Sequence, residues 1–128
     1  MSKKIIHTND APKAVGPYSQ AVSCESKRTV FLSGQIGLDP KTGVLVQNNF
    51  ELQVRQAFNN MKAVIKESNA SLENVVKLNL YLTDLSKFDI VNQIMSEIFP
   101  EPFPARSTVG VLNLPKGAEF EAEAILSL

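Results

Sequence analysis

The chain has 128 residues, with 13 Lys plus Arg against 13 Asp plus Glu and a formal net charge of zero. That length fits a single domain, residues 1–128, with enough chain to bury a core. The balanced charge argues against a dedicated nucleic-acid binder, the lone Cys24 excludes an intrachain disulfide, and no apolar run approaches the roughly 20 residues of a membrane span.

In chain order, Ile5-Ile6 begins a short edge strand. His7, the only histidine, follows it; one histidine builds neither a metal site nor a catalytic triad, so no metal and no cofactor is expected. The first residues lack the apolar region of a signal peptide, and a cytoplasmic setting is the expectation. Asn9–Gly16, with Pro12 and Gly16-Pro17, reads as a turn or extended loop. Gln20–Ser23 and Thr29–Ile36 read as strands, with the polar Glu25-Ser-Lys-Arg28 as the hairpin turn between them. Asp39-Pro-Lys-Thr-Gly43 is a second turn.

Val54, Ala57, Phe58, Met61, Val64 and Ile65 form one apolar stripe at helical spacing. Asn48 or Asn49 caps the start of that helix, and Ser68-Asn69 ends it. Val75–Thr83 alternates as a strand, with Val76, Leu78, Leu80 and Leu82 on one face and Lys77, Asn79, Tyr81 and Thr83 on the other. A second helix spans about Ser86 to Ile98, with Phe88, Val91, Ile94, Met95 and Ile98 inward. Pro100, Pro102 and Pro104 then force an extended crossing.

Two final strand-like runs, Arg106–Leu112 and Glu119–Leu126, flank the turn-prone Asn113-Leu-Pro-Lys-Gly117, which predicts a hairpin. Arg106 and Glu121 then sit on neighbouring strands, a cation and an anion able to hold a small carboxylic acid and aim a water at it. The order of elements predicts an α+β domain: a mostly antiparallel six-stranded sheet with two helices packed on one face. The other face is half polar, carrying Lys77, Asn79, Tyr81, Thr83, Glu119, Glu121, Glu123 and Ile125. A mixed face of this kind suits a subunit interface enclosing wet pockets, hence a homo-oligomer.

Five motifs in order resemble the RidA (YjgF) family of reactive-intermediate deaminases. They are Ala14-Val-Gly-Pro-Tyr-Ser-Gln20, Phe31-Leu-Ser-Gly-Gln-Ile36, Asp39-Pro-Lys-Thr-Gly43, Phe103-Pro-Ala-Arg-Ser107, and Leu114-Pro-Lys-Gly117 followed by Glu121-Ala-Glu-Ala-Ile125. The resemblance runs from Asn9 to Ile125. It implies a chorismate-mutase-like fold, a homotrimer with its sheets at the centre, and small-molecule sites in the clefts between subunits. It further implies hydrolysis of 2-iminobutanoate and 2-iminopropanoate, released by pyridoxal-phosphate dehydratases, to 2-oxo acids and ammonia.

Residue by residue, the resemblance makes Arg106 the ligand of the substrate carboxylate and Glu121 the group that positions water and protons. Spacing alone favours a salt-bridged or surface arginine, and a solvent-facing glutamate between Glu119 and Glu123. Tyr18 is implied as a pocket wall, although an ordinary aromatic anchor fits nearly as well. Ser33 and Gly34 are implied as substrate contacts, with a β-bulge as the plainer account. Asn92 and Phe88 are further lining candidates, Phe88 being better suited to the core. Thr108 stands where many relatives carry a cysteine and is expected to line the pocket, with no nucleophilic role. Two other functions stay open. One is a non-catalytic sensor of 2-oxo acids; the other is an RNA-acting translation inhibitor, disfavoured by the zero net charge and the absence of basic clusters.

Overall fold

The computed structural model describes residues 2–128. Its strands are β1 (Ser2–Ile6), β2 (Ala21–Glu25), β3 (Thr29–Gln35), β4 (Val75–Leu82), β5 (Ala105–Gly110) and β6 (Phe120–Ser127). Two helices, α1 (Phe50–Glu67) and α2 (Phe88–Ile98), complete the α+β domain.

Six strands are present, as expected, but they form two sheets. β1 and β2 make a two-stranded sheet, and the other four lie in the order β3-β6-β4-β5. The four-stranded sheet is mixed: β6 runs antiparallel to both β3 and β4, whereas β4 and β5 are parallel. A parallel pair needs a crossover, and α2 supplies it between β4 and β5.

The predicted C-terminal hairpin is therefore absent. β5 and β6 do not pair, because β4 lies between them. The strands sort by how much they bury. β6 buries Phe120, Ala122, Ala124 and Leu126 and takes a central place, whereas β5 exposes Val109 and takes the edge. The expected hairpin at Glu25–Arg28 is also absent. β2 pairs with β1 and β3 with β6, and the main-chain N–H groups of Lys27 and Arg28 donate to the Leu128 carbonyl at 2.8 and 3.1 Å. Lys3 anchors the small sheet, its Nζ donating to the carbonyls of Pro102 (2.8 Å) and Val75 (3.2 Å).

α1 forms where its stripe predicts. Asn49 Oδ1 accepts from the Leu52 N–H at 3.0 Å, and the helix ends at Ser68, followed by Asn69 at φ 58°. Val54, Ala57, Phe58, Met61 and Ile65 are buried, but Val64 is 41% exposed and lies off the stripe. Gln53 is buried among them. Its Nε2 donates to the Val46 carbonyl at 2.8 Å, and its Oε1 accepts from the Glu119 N–H at 2.7 Å.

In β4, Val75 is buried and Val76 is not, because the β4–β6 ladder slips between Val75 and Lys77. From Lys77 onward the alternation is as read, with Leu78, Leu80 and Leu82 fully buried. The core lies between this inner face and the two helices. Phe58 packs against Phe120 and Phe99, with ring centroids 5.4 and 5.7 Å apart. The outer face carries no helix, and Phe31 there is 74% exposed.

Candidate functional site

Arg106 is opposite Leu78 in the β4–β5 ladder, which puts it on the inner face at the edge of the sheet. Its guanidinium lies between two rings, 4.9 Å from the Tyr18 centroid and 5.3 Å from that of Phe88. Nη1 donates to Asn92 Oδ1 at 2.7 Å and contacts Met95 Sδ at 3.4 Å. Three separate segments thus converge. The loop before β2 brings Tyr18, tethered by the Ser19 N–H donating to the Pro104 carbonyl at 3.0 Å, and α2 brings Phe88, Asn92 and Met95. Gly16 borders the cluster; a Cβ there would sit 3.6 Å from both Arg106 Nη2 and Asn92 Nδ2.

No carboxylate pairs with Arg106 among the described residues, whose ion pairs are Arg55–Glu51, Arg55–Glu97 and Lys87–Glu119. Burial lowers the arginine's pKa, with Tyr18 acting the other way, but a guanidinium stays charged at any physiological pH. A desolvated cation with free N–H groups and no counter-charge is an anion site. Thr108 shares the inner face, opposite Leu80, and its buried Oγ1 makes no hydrogen bond within the chain.

Glu121 belongs to a different place. It is opposite Tyr81 in the β4–β6 ladder and lies on the outer face. In β3 the register passes from Leu32↔Ala124 to Gln35↔Ala122, so Ser33-Gly34 carries one extra residue, a bulge. Gly34 there meets the Glu121 carboxyl so closely that a Cβ would lie 2.5 Å from Oε1. The plainer account of Ser33-Gly34 and the site account therefore hold together: the bulge is what seats the carboxyl.

The three neighbouring glutamates differ in their partners. Glu119 pairs with Lys87 Nζ at 2.9 Å. Glu123 accepts from the Tyr81 hydroxyl and from Asn79 Nδ2 at 3.4 Å. Glu121 has neither a hydrogen-bond donor nor a cation among the described residues. Burial raises its pKa, and the negative charge of Glu123 raises it further.

Arg106, Tyr18, Phe88 and Asn92 therefore share one cluster, with Thr108 two residues along β5 on the same face, while Glu121, Ser33 and Gly34 share another. The two lie on opposite faces of the sheet. Arg106 registers with Leu78 and Glu121 with Tyr81, a further offset of about 10 Å along the strands. One copy of the chain cannot bring both to the same small acid, contrary to the expected pairing on adjacent strands. Phe88, expected in the core, stacks on Arg106. Gly16, Met95, Tyr81 and Glu123 were not singled out by sequence; alternation on β4 and β6 placed the last two on the right face, without the bond between them.

No group of three or more His, Cys, Asp or Glu side chains that could hold a metal occurs among the described residues. No described helix is long and apolar enough to cross a membrane. A cavity of about 330 Å³ lined by Lys3, Glu73, Pro100, Glu101 and Pro102 touches neither cluster.

A family model described as Endoribonuclease L-PSP matches residues 8–127. A protein of Dermatophagoides farinae named 2-iminobutanoate/2-iminopropanoate deaminase is 48% identical over 97% of this chain and 95% of its own length. The Homo sapiens protein of the same name is 42% identical over 96% of this chain and 88% of its own. Among solved structures, RidA from the Antarctic bacterium Psychrobacter sp. superposes with a TM-score of 0.76 at 45% identity, covering 98% of this chain and 99% of that one.

Proposed function

This chain belongs to the RidA (YjgF) family, and on that premise we propose that it is a hydrolytic deaminase of 2-imino acids and their enamine tautomers, 2-iminobutanoate and 2-iminopropanoate among them. One observation carries this: the Arg106 guanidinium meets no counter-charge, and the Glu121 carboxyl, its pKa raised by burial and by Glu123, meets neither a donor nor a cation among the described residues. Imine hydrolysis needs orientation and proton transfer, and needs no metal and no covalent intermediate.

Arg106 takes the substrate carboxylate through the N–H groups that Asn92 leaves free. The rings of Tyr18 and Phe88 flank the guanidinium and fix its plane, while Thr108 lines the same cleft. In its protonated form, favoured by burial and by the charge of Glu123, Glu121 donates to the imine nitrogen and makes the carbon electrophilic. As a carboxylate it then accepts a proton from the attacking water, whose oxygen bonds to that carbon. The resulting carbinolamine breaks its C–N bond as the carbon–oxygen double bond forms; its hydroxyl proton passes through Glu121 to the departing nitrogen. One water is consumed, and one 2-oxo acid and one ammonia are released. The open main chain at Ser33-Gly34 lets the substrate approach Glu121 closely.

Because the two clusters lie on opposite faces, the working site joins the Arg106 cluster of one copy to the Glu121 cluster of another. A homotrimer, the family's assembly, closes three such sites and covers the apolar Phe31. The setting we propose is the cytoplasm, beside the dehydratases that release imines.

The test adds purified protein to a threonine dehydratase reaction and follows 2-oxobutanoate release. Acceleration by the wild type and none by Arg106→Ala is expected. Arg106→Ala and Glu121→Gln subunits, unfolded and refolded together in equal amounts, are expected to recover activity, since about a quarter of all interfaces then carry both intact halves. No recovery would place both groups in one subunit and sink the shared site. Saturable 2-oxo acid binding without acceleration would select the sensor function. RNA cleavage retained in Arg106→Ala would select the activity in the family model's name.

A further inference from the structure

Tyr81 stands directly opposite Glu121 in the β4–β6 ladder, yet its hydroxyl reaches diagonally to Glu123. Asn79, directly opposite Glu123, adds a second donor at 3.4 Å. Both polar side chains that β4 offers to this stretch of β6 therefore serve one carboxyl. Its neighbour two residues away, on the same face and against Gly34, receives none. We propose that Glu123, clamped by Tyr81 and Asn79, is a positioning residue that favours the proton-donating form of the Glu121 carboxyl. This deepens the function proposed above and rests on Glu121 being the acid–base group.

Two like-charged carboxyls side by side do not both ionise freely. Burial and the charge of Glu123, held beside it by Tyr81 and Asn79, raise the pKa of Glu121. The other groups around Glu121 do not offset this. Along β6, Glu119 is neutralised by Lys87. From β4, Tyr81 is a phenol whose own pKa is raised, first by its bond to Glu123, so it stays neutral. Lys77 on the same face is opposite Ile125, beyond Glu123. From β3, the bulge residues Ser33 and Gly34 and the following Gln35 carry no charge. Arg106 of the same copy is on the other face of the sheet. The helices pack on that other face as well.

The experiment compares wild type with Glu123→Gln, which removes the charge while leaving a carbonyl oxygen for Tyr81. The Glu121 carboxyl is titrated by NMR on protein labelled at the glutamate side-chain carbon, and deaminase activity is followed against pH. In Glu123→Gln the Glu121 titration is expected to fall by about half to one pH unit. The alkaline limb of kcat/KM should move down by the same amount, while the response to 2-oxo acid binding at Arg106 stays unchanged. Tyr81→Phe, a milder change that unclamps the Glu123 carboxyl, should lower the Glu121 titration by less. An unmoved Glu121 titration in Glu123→Gln overturns the proposal, as does a uniform activity loss without a shift of the limb. If Glu123→Gln does not fold, an unmoved Glu121 titration in Tyr81→Phe overturns it instead. Should the wild type lack deaminase activity, the proposed reaction fails, and the NMR titration still decides whether Glu123 governs the proton on Glu121.

Discussion

Gly34 and Glu121 face each other across the β3–β6 ladder so closely that a single added methyl on residue 34 would meet Oε1 at 2.5 Å and Cδ at 2.8 Å. Gly34 adopts no left-handed conformation, so the constraint is the space it leaves for the carboxyl and not its backbone. Gly34→Ala is therefore expected to fold, because the far end of a flexible glutamate can swing aside. The displaced carboxyl should lower kcat by about 10- to 100-fold, a misplacement effect of the kind seen for positioned catalytic groups. Thermal melting and steady-state kinetics on the same sample check it; unchanged kcat with a normal melt would show that the Glu121 position does not matter.

Arg106→Lys tests the geometry of the other cluster. Lysine keeps a charge but loses the planar fork and the stacking between Tyr18 and Phe88. The expected result is a rise in KM of about 10- to 100-fold, or about 1.4 to 2.8 kcal/mol. Asn92→Ala should raise KM less, since it frees the guanidinium to wander without removing it. A lysine variant with wild-type KM would mean that Arg106 does not bind the carboxylate.

Much of this architecture was legible in the chain. Leu78, Leu80 and Leu82 alternate against Lys77, Asn79 and Tyr81, and burial follows that alternation because a strand has only two faces. The α1 stripe and its Asn49 cap were legible for the same local reason. What failed was pairing. A Pro-Gly turn between two apolar runs signals a hairpin, but the stretch after β5 is long enough to cross a strand, and the deeply burying β6 was drawn to the centre. Since β4 intervenes, the faces of Arg106 and Glu121 depend on two ladders and their registers, which no local pattern encodes. The slip at Val75–Lys77 misled the placing of Val76 in the same way.

Gln53 offers a stability test linked to the site. It is a buried polar side chain that accepts from the Glu119 N–H, two residues before Glu121, and donates to the Val46 carbonyl. Gln53→Leu keeps the bulk and strands both main-chain groups. A loss of about 2 to 3 kcal/mol in denaturant unfolding is expected, with catalysis reduced as the start of β6 loosens. A stability equal to wild type would mean that neighbouring groups or water replace both bonds.

Glu121→Gln should separate function from stability. A carboxyl whose folded-state pKa is raised binds protons more tightly in the native chain than in the unfolded one. Stability is therefore lost as pH rises from the unfolded value, about 4.3, through the higher folded value. Above that window the ionised Glu121 is a net cost, held against Gly34 beside the charge of Glu123. The glutamine variant has no such cost, so it should melt higher than wild type at pH 8, with the difference shrinking as the pH falls through the folded value toward about 4.3. Its deaminase activity should be lost across the whole range. Melting curves at several pH values beside activity assays test both halves. A variant less stable than wild type at pH 8, or one retaining full activity, would contradict the destabilising acid–base role given to this carboxyl.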